Sequence, residues 1–397
     1  MRTICLVAFM VVAFTVNGQD RYKTFSSILK NLSNAGTADQ QWSTLIAENT
    51  IPLVADDSVA FLYRGEATSV RWMGDFNEWG YDKTFKNTGT NIPGTNIWIL
   101  KTSFPADARL DYKIVLNDTE WILDPNNPNQ QWSGVGGGSP NSELRMGQWK
   151  VDPITEPLDA IFHGRVIQDV LIRSNTLNYQ VSYSIYLPAN FKNVTNEVYP
   201  VLYVTDGNEY MHEKMGNMIT ILDNLIHLKK IKPVIVVFID HREPVNRSNN
   251  RRMKELAMNE QYLNFIVKEL IPKVEKNYPI STHPEERGIL GTSMGGLTAA
   301  YFAFSKPDIF GLAGIQSPAF WYKPEIYLHC GNPARPPVKT FLTTGTIKDT
   351  EEGAKKMESI LDKNTCTFQY REVHQGHSWG NWRDLIDDVL IYFFPAN

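Results

Sequence analysis

The chain has 397 residues, 42% of them hydrophobic and 21% charged, with a formal net charge of −4. That length suits two or three domains, and the composition excludes long disorder, a collagen-like fibre and a multi-spanning membrane protein. The slightly acidic balance gives no electrostatic case for nucleic-acid binding.

Met1-Arg2 precedes an uncharged apolar run from Ile4 to Val16, and Val16-Asn17-Gly18 supplies a cleavage-like end. This reads as a secretory signal peptide over residues 1–18, and the run is short for a membrane span. The expected mature protein is secreted or periplasmic, with no integral membrane segment. Two cysteines then remain, Cys330 and Cys366. In an oxidising compartment they could pair, or they could be two separate buried thiols. No C-x-x-C, H-E-x-x-H or acidic calcium-loop spacing occurs, so neither a metal nor another cofactor is expected.

Residues 19–50 carry a helical pattern (Phe25, Ile28, Leu29, Leu32; then Trp42, Leu45, Ile46) broken at Asn34-Ala35-Gly36. From 51 to 150 the texture becomes short β-rich runs: Val59–Tyr63, Ser69–Met73, Ile97–Thr102 and Leu110–Leu116. Turn-residue clusters separate them, which reads as a β-sandwich. Glycines 134 and 136–138 mark a loop near its end. Seven of the ten tryptophans precede residue 150, so the excess belongs to this part of the chain.

Residues 151–159 read as a linker with Pro153 and Pro157. From 160 to 397, an antiparallel pair (Val166–Ile172, Gln180–Tyr186) leads into alternating strands and helices. The strands are Val198–Val204, Pro233–Ile239, Arg287–Gly291, Leu312–Ile315, Lys339–Thr344 and Thr367–Val373. Helices are expected over 212–230, 259–277, from 294, over 351–363 and over 380–392. The fold class is α/β, a mostly parallel sheet with helices on both faces.

Gly291-Thr292-Ser293-Met294-Gly295 fits G-x-S-x-G between a strand and a helix. In that context a strained turn presents a serine hydroxyl, and flanking glycines avoid a Cβ clash. A serine nucleophile needs a base, and the base needs an orienting acid. The chain order Ser, acid, His favours His377, in a loop before a helix; His374, closing the last strand, is the other candidate. Asp349 is the nearest acid to the end of strand Lys339–Thr344. Glu351 and Glu352 fit better in the first turn of the next helix. The oxyanion hole would use the amides of Met294 and of Asn208, the latter in the loop after Val198–Val204. Phe320 and Trp321, after strand Leu312–Ile315, and Trp379, after His377, are expected to wall the site.

Tyr186-Leu187-Pro188, Tyr199-Pro200-Val201-Leu202-Tyr203, Asp206-Gly207, Arg252-x-x-Glu255-Leu256, Glu269-Leu270-Ile271-Pro272, Gly291–Gly296 and Gly376-His377-x-Trp379 together resemble a known family. It is the enterochelin-esterase/esterase-D-like branch of the α/β-hydrolases, which includes feruloyl and acetyl-xylan esterases, S-formylglutathione hydrolase and mycolyltransferases. The resemblance implies a Ser293–Asp349–His377 triad and an oxyanion donor at Asn208. It also puts Arg252 where siderophore-cleaving members contact substrate, unless Arg252 is a structural ion pair. Trp72-Met73-Gly74-Asp75-Phe76-Asn77-Glu78-Trp79 resembles the G-D-F-N-x-W stretch of glycogen-binding-type sandwich modules. That implies either polysaccharide contact through Trp72, Trp98 and Trp121, or core tryptophans and a sandwich that walls the cleft. The expected function is a serine esterase on feruloyl or acetyl esters of plant polysaccharide. The alternatives are a catecholate-siderophore esterase, an acyltransferase, and a non-catalytic carbohydrate-binding protein.

Overall fold

The computed structural model describes residues 23–34, 36–134, 138–192, 198–330 and 336–396. The leader expected over 1–18 and glycines 136 and 137 lie outside them. Helices α1 (Lys23–Leu32) and α2 (Ala38–Glu48) come first. Strands β1 (Leu53–Ala55), β2 (Ser58–Arg64), β3 (Val70–Gly74), β4 (Thr90–Asn91), β5 (Ile97–Ser103), β6 (Arg109–Leu116), β7 (Glu120–Ile122), β8 (Gln130–Trp132) and β9 (Pro140–Arg145) follow. They form two antiparallel sheets, ordered β1-β2-β5-β4 and β3-β6-β9-β8, with β7 beside β6.

Alternation along β2 explains the layering. Val59, Phe61 and Tyr63 pack against Trp72 of β3 and Leu110, Tyr112 and Ile114 of β6, between the two sheets. Ala60 and Leu62, pointing the other way, pack under Phe25 and Leu32 of α1 and Trp42 and Leu45 of α2. A period of two therefore buries both faces of one strand. Trp72 is fully buried, so it is a core residue and not a sugar platform, whereas Trp121 is 49% exposed. The short strands β1, β4, β8 and β9 escaped the sequence reading. In β9 the buried residues Asn141, Ser142 and Glu143 are polar, so no apolar alternation advertises it.

The larger part carries strands β10 (Arg165–Arg173), β11 (Gln180–Leu187), β12 (Val201–Val204), β13 (Ile235–Asp240), β14 (Arg287–Thr292), β15 (Leu312–Gln316), β16 (Lys339–Gly345) and β17 (Phe368–Val373). Its helices are α3 (Gly207–Met211), α4 (Met218–His227), α5 (Arg252–Glu255), α6 (Glu260–Phe265), α7 (Ile271–Asn277), α8 (Met294–Ser305), α9 (Glu351–Lys363), α10 (Trp379–Arg383) and α11 (Ile386–Phe393). The sheet order is β10-β11-β13-β12-β14-β15-β16-β17. β10, β11 and β13 pair antiparallel, and every later pair is parallel. This is the α/β-hydrolase arrangement. Val201, Tyr203, Ile235 and Val237 face one helical layer, while Leu202, Val204, Val236 and Phe238 face the other. Each such aliphatic side chain contributes about 1.5–3 kcal/mol by leaving water.

Two expected helices are shorter than their apolar patterns. The helix expected over 212–230 is only α4, Met218–His227: the separate helix α3 ends at Met211, the chain turns before residue 218, and Asn217 caps α4 with a positive φ of 47°. The helix expected over 380–392 breaks at Asp384-Leu385. Cys330 and Cys366 are both free thiols, so they are not paired; burial, with Cys366 nearby, pushes the Cys330 thiol up to about 12. Among the described residues no helix is long and apolar enough to cross a membrane.

Asp387 of α11 carries a stability prediction. Burial, with Asp388 and Asp152 adding repulsion, pushes its carboxyl up to about 7. The native state therefore holds this proton more tightly than the unfolded chain does. Its stabilisation is complete below the ordinary aspartate range and is lost as pH rises through about 7. Asp387→Asn removes that loss. Its melting temperature should exceed wild type at pH 8, by on the order of 1–2 kcal/mol in stability, and match it at pH 4.

Candidate active site

β14 runs through the sheet and ends at Thr292, and the next residue, Ser293, sits at φ 57°, ψ −117° before α8 begins. Only a sharp elbow fits there. Ser293 N–H donates to Gln316 O at 2.9 Å, and Ser293 O accepts from Ala319 N–H at 2.9 Å, pinning the elbow to the end of β15. A Cβ on Gly291 would overlap the Gly295 carbonyl, and one on Gly295 would overlap Thr205 Oγ1. The first atom is backbone of the turn itself and the second belongs to fully buried Thr205, just after β12, so neither gives way cheaply. Gly291→Ala should cost about 1–3 kcal/mol or more, read as a melting temperature several degrees lower or as loss of soluble protein.

His377 comes from the loop between β17 and α10. Its Nε2 lies 2.9 Å from Ser293 Oγ, and its Nδ1 lies 2.6 Å from Asp349 Oδ1. Asp349 follows β16 and its side chain is fully buried. The other oxygen, Oδ2, accepts from Gly345 N–H at 2.5 Å, Ser317 Oγ–H at 2.6 Å, Thr344 Oγ1–H at 3.3 Å and Asn381 Nδ2–H at 3.4 Å. One carboxylate oxygen is thus held by four donors, and the other faces the imidazole. His374 lies apart from this line and bonds Asp107 Oδ1 through Nδ1 at 2.6 Å. Glu351 and Glu352 stand in the first turn of α9.

Met294 opens α8 and Asn208 lies in the first turn of α3. Amides in a first helical turn lack intrahelical acceptors and are available to a ligand. Those helices start beyond β14 and β12, which are neighbours in the sheet.

Two of the residues expected to wall the site, Phe320 and Trp379, are buried, and Arg252 takes the ion-pair alternative. Phe320 is fully buried and meets Tyr327 edge-on, so it supports the loop from behind. Trp379 is also buried, because the start of α10 turns it inward; it meets Tyr210 edge-on at 4.9 Å and donates Nε1–H to Glu209 Oε2 at 2.7 Å. The indole that touches the imidazole is Trp382, edge-on at 4.9 Å, which the sequence reading did not single out. Arg252 is an ion pair: its Nε and Nη2 donate to the two oxygens of Asp206 at 2.6 and 2.9 Å. Burial works against the Asp206 charge, but Arg252 outweighs it and holds the carboxyl below its usual range. Trp321, by contrast, is 73% exposed.

A cavity of about 410 Å³ opens beside the histidine. The sandwich contributes Asp75, Trp79, Lys113 and Trp121 to it, and the hydrolase part contributes His377 and Ser378.

The Esterase family model, described as "Putative esterase", matches residues 174–393. The chain is 26% identical over 338 residues to an iron(III) enterobactin esterase of Escherichia coli O6:H1, covering 76% of this chain and 80% of that one. It is 30% identical over 252 residues to an endo-1,4-beta-xylanase/feruloyl esterase of Xylanibacter ruminicola, covering 59% of this chain and 32% of that longer one. The enterobactin esterase structure from Shigella flexneri superposes with a TM-score of 0.69 at 21% identity, over 85% of this chain and 94% of that chain, which shows a shared fold. The chain belongs to the Esterase family of α/β-hydrolases.

Proposed function

We propose that this chain is a secreted or periplasmic serine esterase that forms an acyl-enzyme on Ser293, with feruloyl or acetyl esters of plant polysaccharide as substrates. The observation that carries the reading is the line Asp349 Oδ1–His377 Nδ1 at 2.6 Å and His377 Nε2–Ser293 Oγ at 2.9 Å. Asp349 accepts a hydrogen bond from Nδ1–H, which keeps that proton on Nδ1 and leaves Nε2 free to accept the serine proton. Oγ then attacks the ester carbonyl carbon, and the amides of Met294 and Asn208 receive the developing oxyanion. His377 returns the proton to the departing alcohol, and water repeats the sequence on the acyl-enzyme.

This chemistry also gives the site a direction. The alcohol leaves towards the atom that protonates it, so the alcohol half of the ester lies on the His377 side. The 410 Å³ cavity is on that side. Two indoles, Trp79 and Trp121, beside Lys113 and Asp75 supply stacking faces and polar groups suited to a sugar. Trp321, exposed on the loop after β15, offers a face to an aromatic acyl group. The feruloyl esterase named among the relatives supports this substrate class.

The second reading is esterase action on a catecholate siderophore. It is favoured by the Escherichia coli relative, whose match extends beyond the hydrolase part of the chain. The same acyl-enzyme could pass its acyl group to a sugar hydroxyl, which is the acyltransferase variant.

A substrate panel separates them. Purified protein is offered methyl ferulate, an acetylated xylo-oligosaccharide and enterobactin. The proposal expects kcat/KM for one of the first two to exceed that for enterobactin by about tenfold or more. The reverse order favours the siderophore reading, and no turnover of any ester contradicts both.

A further inference from the structure

β6 presents two different faces. Leu110, Tyr112 and Ile114 enter the sandwich core, while Arg109 and Asp111 are buried on the opposite side, towards the hydrolase part. A guanidinium with no exposure is stable only if its N–H groups and charge are met. Nε of Arg109 donates to Glu143 Oε1 at 2.7 Å and Nη2 to Asp111 Oδ1 at 2.7 Å, both within the sandwich. Nη1 donates to Ser378 Oγ at 2.9 Å, the residue next to His377. Burial opposes the charge, but Asp111 and Glu143 outweigh it and hold the guanidinium above its ordinary range.

The partner gives up something for this contact. Ser378 is the N-cap of α10, where a serine oxygen commonly accepts from a first-turn amide. It makes no such cap bond, and its hydroxyl takes the Arg109 N–H instead. The glycines that bracket the histidine point the same way. A Cβ on Gly380 would overlap the Arg109 guanidinium, and one on Gly376 would overlap the Asp75 side chain. Sandwich side chains therefore seat directly on the backbone around His377. Arg109 N–H also donates to His374 O at 3.2 Å. The acid loop is held from the same side: Lys348 Nζ pairs with Asp82 Oδ2 at 2.9 Å, and Ile347 packs on the sandwich core.

Building on the triad reading above, we propose that Arg109 is a positioning residue for His377. Acting through Ser378 and its seat on Gly380, it lets the sandwich hold the imidazole in line with Ser293. The N-terminal part of the chain is then a working component of the base and not only a wall of the cleft.

Ser378→Ala in the full chain tests this with one hydroxyl removed. On p-nitrophenyl acetate, too small to fill the cavity, kcat should fall about tenfold with KM within about twofold of wild type. Phosphonylation of Ser293 by a fluorophosphonate, which reads serine activation without turnover, should slow by the same factor. Ser378→Thr should recover most of both rates, and the melting temperature of Ser378→Ala should fall by only a few degrees, because one buried Arg109 N–H loses its acceptor while the fold is kept. Arg109→Met should be slower still, but it strands two buried carboxylates and can fail to fold, so Ser378→Ala carries the test. A folded Ser378→Ala protein with kcat and labelling rate both near wild type overturns the proposal, as does an effect confined to KM. Ser293→Ala is the control. If it is inert while Ser378→Ala is unaffected, the positioning role falls and the triad stands; if it is active, both fall.

Discussion

Ser293→Ala is expected to lower kcat on any cleaved ester by roughly a million-fold while leaving the fold intact. The loss is large because the proposed route depends on a covalent step that alanine cannot make; the oxyanion amides and substrate binding would leave only a small residual rate. Stability should be spared because Oγ is bonded to the exposed His377 side, whereas the elbow is fixed by backbone bonds to Gln316 and Ala319. Serine already occupies the positive-φ position, so alanine adds no new backbone strain. Steady-state kinetics and a melting curve on the same preparation check both halves.

Asp349→Asn should cost about ten-thousand-fold in kcat with little change in KM. The reason lies in the four donors around Oδ2. In the variant, the amide oxygen is drawn to that donor-rich position and the amide NH2 must face His377 Nδ1. Nδ1 then becomes an acceptor, the ring proton moves to Nε2, and Nε2 can no longer accept the serine proton. The substitution is nearly isosteric, so the melting temperature should change far less than the rate. A variant with near-wild-type kcat would show that Asp349 does not set the tautomer.

The site was legible where chemistry imposes a local pattern. The elbow needs glycines at fixed offsets and a strand before a helix, so Ser293 could be read from its neighbours. His377 and Asp349 followed from strand ends on a parallel sheet. Residues defined only by a three-dimensional contact were not legible. Ser317, just after β15, and Asn381, in α10, hold the carboxylate from distant parts of the chain, and no spacing links them to Asp349. Trp379 and Trp382 are three apart, and only the phase of α10 decides which meets the imidazole. Phe320 and Trp321 are adjacent, yet one is buried and the other open.

The same limit applies to the fold. Continuous apolar runs such as Val201–Val204 announce a strand buried on both faces, and the parallel sheet followed from them. In β6, by contrast, Arg109, Asp111 and Lys113 alternate with Leu110, Tyr112 and Ile114, which reads as a strand with one wet face. The structure covers the start of that face with the His377 loop, so a pattern of solvent exposure conceals a contact between the two halves. The arginine was unremarkable in sequence because its partners, Glu143 and Ser378, lie 34 and 269 residues away.

The most direct test of the central claim is the mass of the covalent intermediate. The protein is mixed with p-nitrophenyl acetate, quenched in acid during the first turnover and digested for peptide mapping. The account predicts an acetyl group on Ser293, and none there in Ser293→Ala. Turnover without any adduct on Ser293, or an acyl group carried by another residue, would contradict it.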